Sequence, residues 1–220
     1  MALNCFLQFL LRRFYMYWDK VSGVYDFFES CINGRVYKAL GKRTAEYISE
    51  NDIVLECACG TGAITAVVAR KCRRLVAVDI SAAMMKKAKE KCRGLSNVRF
   101  RKADMTRLNC GDEKFDKVIA GNVIHLLDDA SAAVNEMLRV CKTGGKVIIP
   151  TYINDSQRSS KILAKLVDLT GLEFKYEFTL DSYKSFFFDM GLRNTEFFVI
   201  TGHMPCAVAV ITKLSLDNDE

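Results

Sequence analysis

The sequence predicts an α/β protein with a doubly wound, mostly parallel seven-stranded sheet, helices on both faces and a C-terminal antiparallel hairpin. Short runs rich in Val, Ile and Leu alternate with helical patterns between residues 50 and 152. This alternation is typical of parallel strands that are buried on both faces of a sheet. Near the C-terminus, two further apolar runs are separated by five residues or fewer, which favours a hairpin.

The central region supplies five strands and three helices. The strands are predicted at 52–57, 74–80, 97–104, 115–122 and 146–152. The helices are predicted from a glycine turn to about residue 72, at 81–93 and at 128–141. Ser81 is placed to cap the second helix, and Gly144 or Gly145 can take the left-handed conformation that ends the third. Right-handed crossovers between the strands then give a doubly wound sheet.

Helical patterns flank this region on both sides. The N-terminal segment is helical in pattern through residue 49, and further helices are predicted at 156–171 and at 180–191, the latter capped by Thr179 or Asp181. Two strands are predicted within 194–213. A chain of 220 residues with only 13 Gly and 2 Pro is expected to form one domain.

Charge and cysteine content exclude several kinds of protein. The net charge of +6 is spread over many segments, and the basic clusters at 70–74 and 86–93 fit solvated helix faces. A nucleic-acid surface needs a denser basic stripe with aromatic residues, so nucleic acid is not expected as a partner. Nine cysteines within strand and helix patterns indicate free, buried thiols in a reducing cytoplasm.

The apolar N-terminal segment is interrupted by Gln8, Arg12 and Arg13. Its run is therefore shorter than the ~20 residues that span a bilayer, and it lacks the features of a signal peptide. An amphipathic helix packed on the domain is expected, with weak contact to a membrane surface as the alternative.

Four polar residues lie at the ends of predicted strands, namely Glu56, Asp79, Asp104 and Asn122. Ligands of doubly wound sheets bind beyond the carboxyl ends of the strands. These four side chains are therefore expected to converge on one binding site.

The turn Gly60-Thr61-Gly62 is compared with three kinds of ligand site. It lacks the third glycine of a dinucleotide fingerprint and the Lys of a P-loop, and Glu56 would repel a diphosphate. A metal is not expected, because Cys57 and Cys59 should point to opposite sides of the strand. An acid before a glycine turn suits a ligand with a cationic ammonium and an anionic carboxylate, such as the amino-acid end of S-adenosylmethionine.

The segment "LECACGTG" (55–62) resembles motif I of the class I S-adenosylmethionine-dependent methyltransferases, an acid followed by x-G-x-G-x-G. The resemblance covers roughly residues 35–150 and departs at Ala58, which replaces the first glycine. Alanine fits there at a negative φ, whereas a left-handed backbone would be costly. The resemblance implies a Rossmann-like cofactor-binding core at 50–152. A helical lid region at 1–49 and lid helices with the hairpin at 153–220 would flank it.

The resemblance implies a role for each polar residue at the sheet edge. Glu56 would bind the ammonium, Asp79 the ribose hydroxyls and Asp104 the adenine amine, while Asn122 would lie beside the methionine portion. The full set of implied cofactor contacts is Tyr25, Glu56, Ala58, Gly60, Thr61, Gly62, Asp79, Ile80, Met84, Asp104, Met105 and Asn122. Alternatives stay open for some of them: core packing for Ile80 and Met84, a turn or helix cap for Asp104, and lid packing for Tyr25.

The implied reaction is in-line transfer of a methyl group to a small, partly apolar acceptor, with S-adenosylhomocysteine as product. His125 is the candidate general base or substrate contact, and a packed histidine is the alternative. Two other functions stay open: a nicotinamide-dependent oxidoreductase and a non-catalytic methyltransferase-like binding protein.

Overall fold

The computed structural model describes residues 33–154, 161, 174–202 and 204–215. The predicted N-terminal helical region is therefore described only from residue 33. Tyr25 and nearly all of the predicted helix at 156–171 lie outside the described residues.

The described residues form one sheet of seven strands, with five α-helices and a 3-10 turn. The strands are β1 (Ile53–Cys57), β2 (Arg74–Asp79), β3 (Val98–Lys102), β4 (Phe115–Ala120), β5 (Cys141–Tyr152), β6 (Thr195–Ile200) and β7 (Cys206–Thr212). The helices are α1 (Gly34–Ala45), α2 (Thr65–Val68), α3 (Ala82–Lys91), α4 (Ala130–Val140) and α5 (Leu180–Asp189), and the 3-10 turn is Ile124–Leu126. Among these helices, none combines the length and the apolar character needed to cross a bilayer.

The strand order β3-β2-β1-β4-β5-β7-β6 confirms the predicted doubly wound sheet. Strands β1 to β5 are parallel to one another. Strand β7 is antiparallel to both β5 and β6, which confirms the C-terminal hairpin. The chain order reverses between β1 and β4, and this reversal is where doubly wound proteins form a ligand crevice.

Apolar side chains fill both faces of the sheet. Leu40 of α1 and Ile119 of β4 belong to the core on one face. Met137 of α4, Phe187 of α5 and Val118 of β4 belong to the core on the other. All five are fully buried. Val118 and Ile119 are neighbours in β4 and point to opposite faces of the sheet, so the two cores lie on opposite faces. Since each core contains residues of a helix, helices lie on both faces, as predicted.

Two predicted caps are confirmed. The Ser81 hydroxyl accepts a hydrogen bond from the Met84 N–H at 3.1 Å and begins α3. Thr179 begins α5 in a capping box, in which its hydroxyl accepts from the Ser182 N–H at 3.2 Å. Both hydroxyls satisfy helix N–H groups that have no partner within the helix.

Two predicted helix ends differ from the structure. Helix α2 ends at Val68 and continues as turns, in which the carbonyls of Ala69 and Cys72 accept hydrogen bonds from the Asn97 amide at 2.7 and 2.9 Å. The prediction that Gly144 or Gly145 ends α4 is wrong.

Helix α4 ends at Val140, and β5 begins at the next residue. The carbonyls of Arg139 and Val140 accept hydrogen bonds from the N–H groups of Glu113 and Lys114, at 3.0 and 2.9 Å. The helix end is thus satisfied by the loop before β4, and no left-handed glycine is required. Gly144 has a φ of +76°, but it lies within β5.

Candidate functional site

Three of the four polar residues predicted to form a site are buried at the carboxyl edge of the sheet. Glu56 is the fourth residue of β1, Asp79 ends β2, and Asn122 follows β4 by two residues. These residues are 2 %, 7 % and 4 % exposed. The three strands are neighbours in the sheet, so these groups meet at the crevice where the chain order reverses.

Asp79 connects the glycine turn to helix α3. Its Oδ2 accepts a hydrogen bond from the Gly60 N–H at 2.8 Å, and its Oδ1 accepts from the Ser81 N–H at 2.8 Å. Each oxygen of an ionised carboxylate can accept more than one hydrogen bond. Asp79 can therefore hold the turn and also accept hydrogen bonds from a vicinal diol.

The turn after β1 contains three residues with left-handed backbone. The φ angles are +50° at Ala58, +54° at Gly60 and +84° at Gly62. The alanine that replaces the first glycine of the motif therefore has the costly conformation and not the negative φ. A non-glycine residue in this region costs about 1–2 kcal/mol. Strain of this kind is concentrated at functional sites.

The two glycines of the turn meet different surroundings. A Cβ at Gly62 would lie 3.0 Å from the backbone of Ala88, so Gly62 allows α3 to pack against the turn. A Cβ at Gly60 would meet no atom within 4 Å. Gly60 is therefore the position at which the turn faces open space, and a ligand can approach its backbone.

Negative charge dominates the neighbourhood of the turn. Burial, together with the charges of Glu56 and Asp79, raises the pKa of the Cys59 thiol well above its ordinary value. The Lys91 ammonium donates a hydrogen bond to the Thr61 hydroxyl at 3.1 Å. Two buried carboxylates beside one backbone turn favour a cation over a diphosphate.

The residues implied to surround adenine occupy the neighbouring strand ends. Asp104 lies two residues beyond β3, and its Oδ1 accepts hydrogen bonds from the N–H and the hydroxyl of Thr106, at 2.9 and 2.8 Å. Asp104 therefore stabilises a turn, which was the alternative role for this residue. Its contact with adenine stays a prediction. Met84 and Met105 are buried and Ile80 is partly buried.

The cysteines next to the turn enter different cores, as predicted. Cys57 belongs to the core that contains α4, and Cys59 to the core that contains α1. All seven cysteines within the described residues are free, and six of them are buried. Within the same part of the chain, His, Cys, Asp and Glu side chains form no group of three that could hold a metal ion.

Asn122 has an unusual backbone and an unusual side-chain environment. Its φ is +52°, and its N–H donates to the Pro150 carbonyl at 2.9 Å. Its Oδ1 accepts a hydrogen bond from the Cys206 thiol at 3.4 Å. Its Nδ2 is buried and has no hydrogen-bond partner among the described residues. The contact with Cys206 has no signal in the sequence, because 84 residues separate the two.

His125 is enclosed within the protein. Its Nδ1 lies 2.9 Å from the Thr151 hydroxyl, and its ring stacks on Phe174 with centroids 4.9 Å apart. Tyr152 packs at 5.7 Å at a tilted angle. Burial lowers the pKa of His125 to about 3, so the ring is neutral at physiological pH. Sequence reasoning identified His125 but missed its three partners, which are distant in the chain.

A small aromatic cavity adjoins His125. Its lining comprises Tyr152, Ile153, Asn154, Phe174, Tyr176, Glu177, Phe178 and Met204. Residues 174–179, which supply four of these side chains, form no strand. Tyr176 and Phe178 stack in parallel with centroids 5.4 Å apart. The cavity combines an apolar wall with the polar groups of Asn154 and Glu177.

Comparisons with known proteins point to one family. A family described as "Methyltransferase domain" matches residues 55–149. The chain is 32 % identical over 133 residues to phosphatidylethanolamine N-methyltransferase of Cereibacter sphaeroides, covering 59 % of this chain and 63 % of that protein. It is 30 % identical over 156 residues to the ubiquinone/menaquinone biosynthesis C-methyltransferase of Pseudomonas paraeruginosa, covering 67 % of this chain and 60 % of that protein.

A solved structure shows the same fold. Geranyl diphosphate C-methyltransferase of Streptomyces coelicolor, in complex with Mg²⁺, geranyl diphosphate and S-adenosyl-L-homocysteine, superposes with a TM-score of 0.62 at 14 % identity. The match covers 80 % of this chain and 78 % of that one. The chain spans less than two thirds of the length of the two curated relatives.

The sheet order, the acid before the glycine turn and these matches together define a class I methyltransferase fold. Residues 55–149 match a methyltransferase domain, and the fold is that of class I methyltransferases, as the motif at residues 55–62 predicted. Neither the matched family nor these relatives give support to the oxidoreductase or to the non-catalytic binding protein.

The site residues fit S-adenosylmethionine. The open space at Gly60 allows an adenosyl group to approach the backbone, and the carboxylate of Asp79 can accept hydrogen bonds from a ribose diol. The buried Nδ2 of Asn122 offers a hydrogen-bond donor at the same edge. Two buried carboxylates complement the positive charges of the sulfonium and the ammonium.

Proposed function

We propose that the protein is an active, cytoplasmic methyltransferase that binds S-adenosylmethionine and methylates a small, partly apolar acceptor. One observation carries the proposal: Glu56 and Asp79 are buried beside a glycine turn that faces open space at Gly60. This arrangement favours a cationic amino-acid tail joined to a ribose. It disfavours the diphosphate of a dinucleotide.

In this proposal, each site residue binds or orients the cofactor. Glu56 holds the ammonium, Asp79 accepts hydrogen bonds from the ribose hydroxyls, and Gly60 leaves space for close backbone approach. Thr61, Ile80, Met84, Asp104 and Met105 complete the surroundings of the nucleoside. S-adenosylmethionine supplies a methyl group that is already activated by its sulfonium. Orientation of the two reactants, worth about 7–11 kcal/mol, is then the protein's main contribution.

His125 contributes as a neutral imidazole next to the acceptor. Its Nδ1 is held by Thr151 and its ring by Phe174, so the ring is fixed in position. A base with a pKa of about 3 removes protons poorly at neutral pH. We therefore expect His125 to position the acceptor. General-base catalysis stays a prediction, tested by the pH dependence of turnover in wild type and His125→Ala.

The aromatic cavity has a volume of only about 10 Å³, room for about one water molecule, so it is the apolar character of its lining that supports an apolar acceptor. Phe174 and Tyr152 line it and also contact the ring of His125. Two relatives are named for phosphatidylethanolamine and for ubiquinone or menaquinone, and the similar structure holds geranyl diphosphate. We infer an acceptor that joins a polar reacting group to a hydrocarbon portion.

Calorimetric titration with S-adenosylhomocysteine and with NADH tests the cofactor assignment. The wild type is expected to bind S-adenosylhomocysteine and not NADH. Glu56→Gln and Asp79→Asn should each weaken binding by roughly ten- to hundredfold, because each removes a charge-assisted hydrogen bond of about 1.5–3 kcal/mol. Asp129→Asn is the matched control, since it changes an exposed cap of α4 into another capping residue. NADH binding, or unchanged affinity in both site variants, would contradict the assignment.

Transfer of a labelled methyl group tests the acceptor class. Demethylmenaquinol and phosphatidylethanolamine, each dispersed in detergent, are compared with the polar amine glycine. Phe174→Ala should raise the KM for an apolar acceptor and leave the affinity for S-adenosylhomocysteine unchanged. Leu214→Ala, which truncates an exposed apolar residue outside the cavity, is the control. Label in the glycine product alone would overturn the proposed acceptor class.

A further inference from the structure

The side chains of Asn122 and Cys206 form a buried hydrogen bond at the candidate site. Asn122 follows β4, and Cys206 begins β7, which lies beyond β5 in the sheet. The two residues are 4 % and 0 % exposed. The Asn122 backbone is tied to β5 through its N–H bond to Pro150. The position of the amide is thus determined by three strands.

The chemistry of the thiol determines which way the amide faces. Burial raises the pKa of the Cys206 thiol, so the sulfur retains its proton. A protonated thiol is a hydrogen-bond donor, and its sulfur is a weak acceptor. The amide therefore presents Oδ1 to Cys206, at 3.4 Å, and directs Nδ2 away from it.

The amide nitrogen lacks an acceptor within the described residues. Buried amide groups are nearly always hydrogen-bonded, and those that are not require an explanation. The left-handed backbone of Asn122, with φ at +52°, is a second unfavourable feature at the same residue. An unsatisfied donor on a strained residue at the ligand edge of the sheet is explained by a ligand atom that accepts from Nδ2.

We propose that Cys206 is a positioning residue, which orients the Asn122 amide so that Nδ2 donates a hydrogen bond to an oxygen atom of the bound ligand. The oxygen belongs either to the amino-acid carboxylate of the cofactor or to the acceptor molecule. This inference rests on the proposed function. It assigns a role in ligand recognition to a strand residue that is outside the glycine motif.

Four variants separate positioning from packing. Cys206→Ala removes the donor, Cys206→Ser retains one, and Asn122→Ala removes the amide. Cys141→Ala is the matched control, because Cys141 is a fully buried strand cysteine at the opposite edge of the sheet. Thermal unfolding with and without S-adenosylhomocysteine establishes that each variant is folded before binding is compared.

Calorimetry with S-adenosylhomocysteine and 5′-methylthioadenosine distinguishes the two sources of the oxygen. If the carboxylate of the cofactor is the partner, Asn122→Ala should weaken S-adenosylhomocysteine binding roughly tenfold and Cys206→Ala roughly threefold. Binding of 5′-methylthioadenosine, which lacks the amino-acid portion, should not change. If the acceptor molecule is the partner, both ligands should bind all variants equally, and the same order of losses should appear in kcat/KM for the acceptor.

Recovery by serine is the decisive result. Cys206→Ser should return the affected parameter to within roughly twofold of wild type, because a hydroxyl donates to Oδ1 as a thiol does. If folded Cys206→Ala behaves like Cys141→Ala in binding and in turnover, or if serine fails to restore the loss, the inference is wrong. A wild-type protein that does not bind S-adenosylhomocysteine would instead refute the proposed function.

Discussion

Ala58 differs from the glycine of the motif in its side chain but has the left-handed backbone that glycine favours. Its φ of +50° is the conformation that the missing glycine adopts without strain. Ala58→Gly should therefore raise the free energy of unfolding by about 0.5–1 kcal/mol, after the greater entropy of glycine in the unfolded chain is subtracted from the relieved strain. Urea denaturation measures the change.

The same substitution within a helix provides the control. Ala132→Gly in α4 should lower the stability by about 0.5–1 kcal/mol, because glycine in a helix loses more conformational entropy on folding. A loss of stability at both positions would show that the Ala58 backbone carries no strain that glycine relieves.

His125 makes stability depend on pH. Its pKa is about 3 in the folded protein, and about 6.5 is usual for an exposed histidine. Between these values the unfolded chain binds a proton that the folded protein does not, so stability falls as the pH falls. From pH 7 to pH 5, this group should cost the wild type about 2 kcal/mol, at 1.36 kcal/mol per pH unit.

Comparison with His125→Asn isolates this contribution. Urea denaturation at pH 7, 6 and 5 should show a shallower loss of stability in the variant, because asparagine does not titrate. All other titrating groups are common to both proteins. If both proteins lose the same stability as the pH falls, the His125 ring must be accessible to protons in the folded state.

The two glycines of the turn are expected to have different functions: Gly62 allows α3 to pack closely, and Gly60 allows the ligand to approach. Gly62→Ala should lower the stability by about 1–3 kcal/mol, because the new Cβ meets the α3 backbone at 3.0 Å. Gly60→Ala adds a side chain to open space, so it should lose less stability and more affinity for S-adenosylhomocysteine, roughly tenfold. Melting temperature and calorimetric affinity are measured on both variants. A larger loss of stability in Gly60→Ala, or a larger loss of affinity in Gly62→Ala, would contradict the prediction.

Elements with strong local patterns were predictable, and elements set by distant contacts were not. The strands follow from dense Val, Ile and Leu runs, and the caps Ser81 and Thr179 follow from local hydrogen bonds. The end of α4 depends on Glu113 and Lys114, which lie more than 20 residues earlier in the chain. The same limit applies to the candidate site: the positions of Glu56 and Asp79 at the sheet edge were predictable from the strand ends, whereas the contact of Cys206 with Asn122 was not.

Ligand binding should stabilise the whole molecule. The site joins β1, β2 and β4, so a ligand that binds only the folded chain shifts the unfolding equilibrium. At 100 times its Kd, S-adenosylhomocysteine should add about 2.7 kcal/mol. For a domain of this size, that corresponds to a rise of about 5–10 °C in melting temperature. Differential scanning should show no rise in melting temperature with NADH at the same concentration. A rise with NADH and none with S-adenosylhomocysteine would contradict the cofactor assignment.

The central claim is that the carboxylates beside the glycine turn bind a cationic amino-acid tail and a ribose, and a crystal structure with S-adenosylhomocysteine tests it most directly. We expect the ammonium beside Glu56, the ribose hydroxyls on Asp79 and the adenosyl group against Gly60. Adenosine bound away from residues 56–62, or a dinucleotide diphosphate bound at residues 60–62, would contradict the claim.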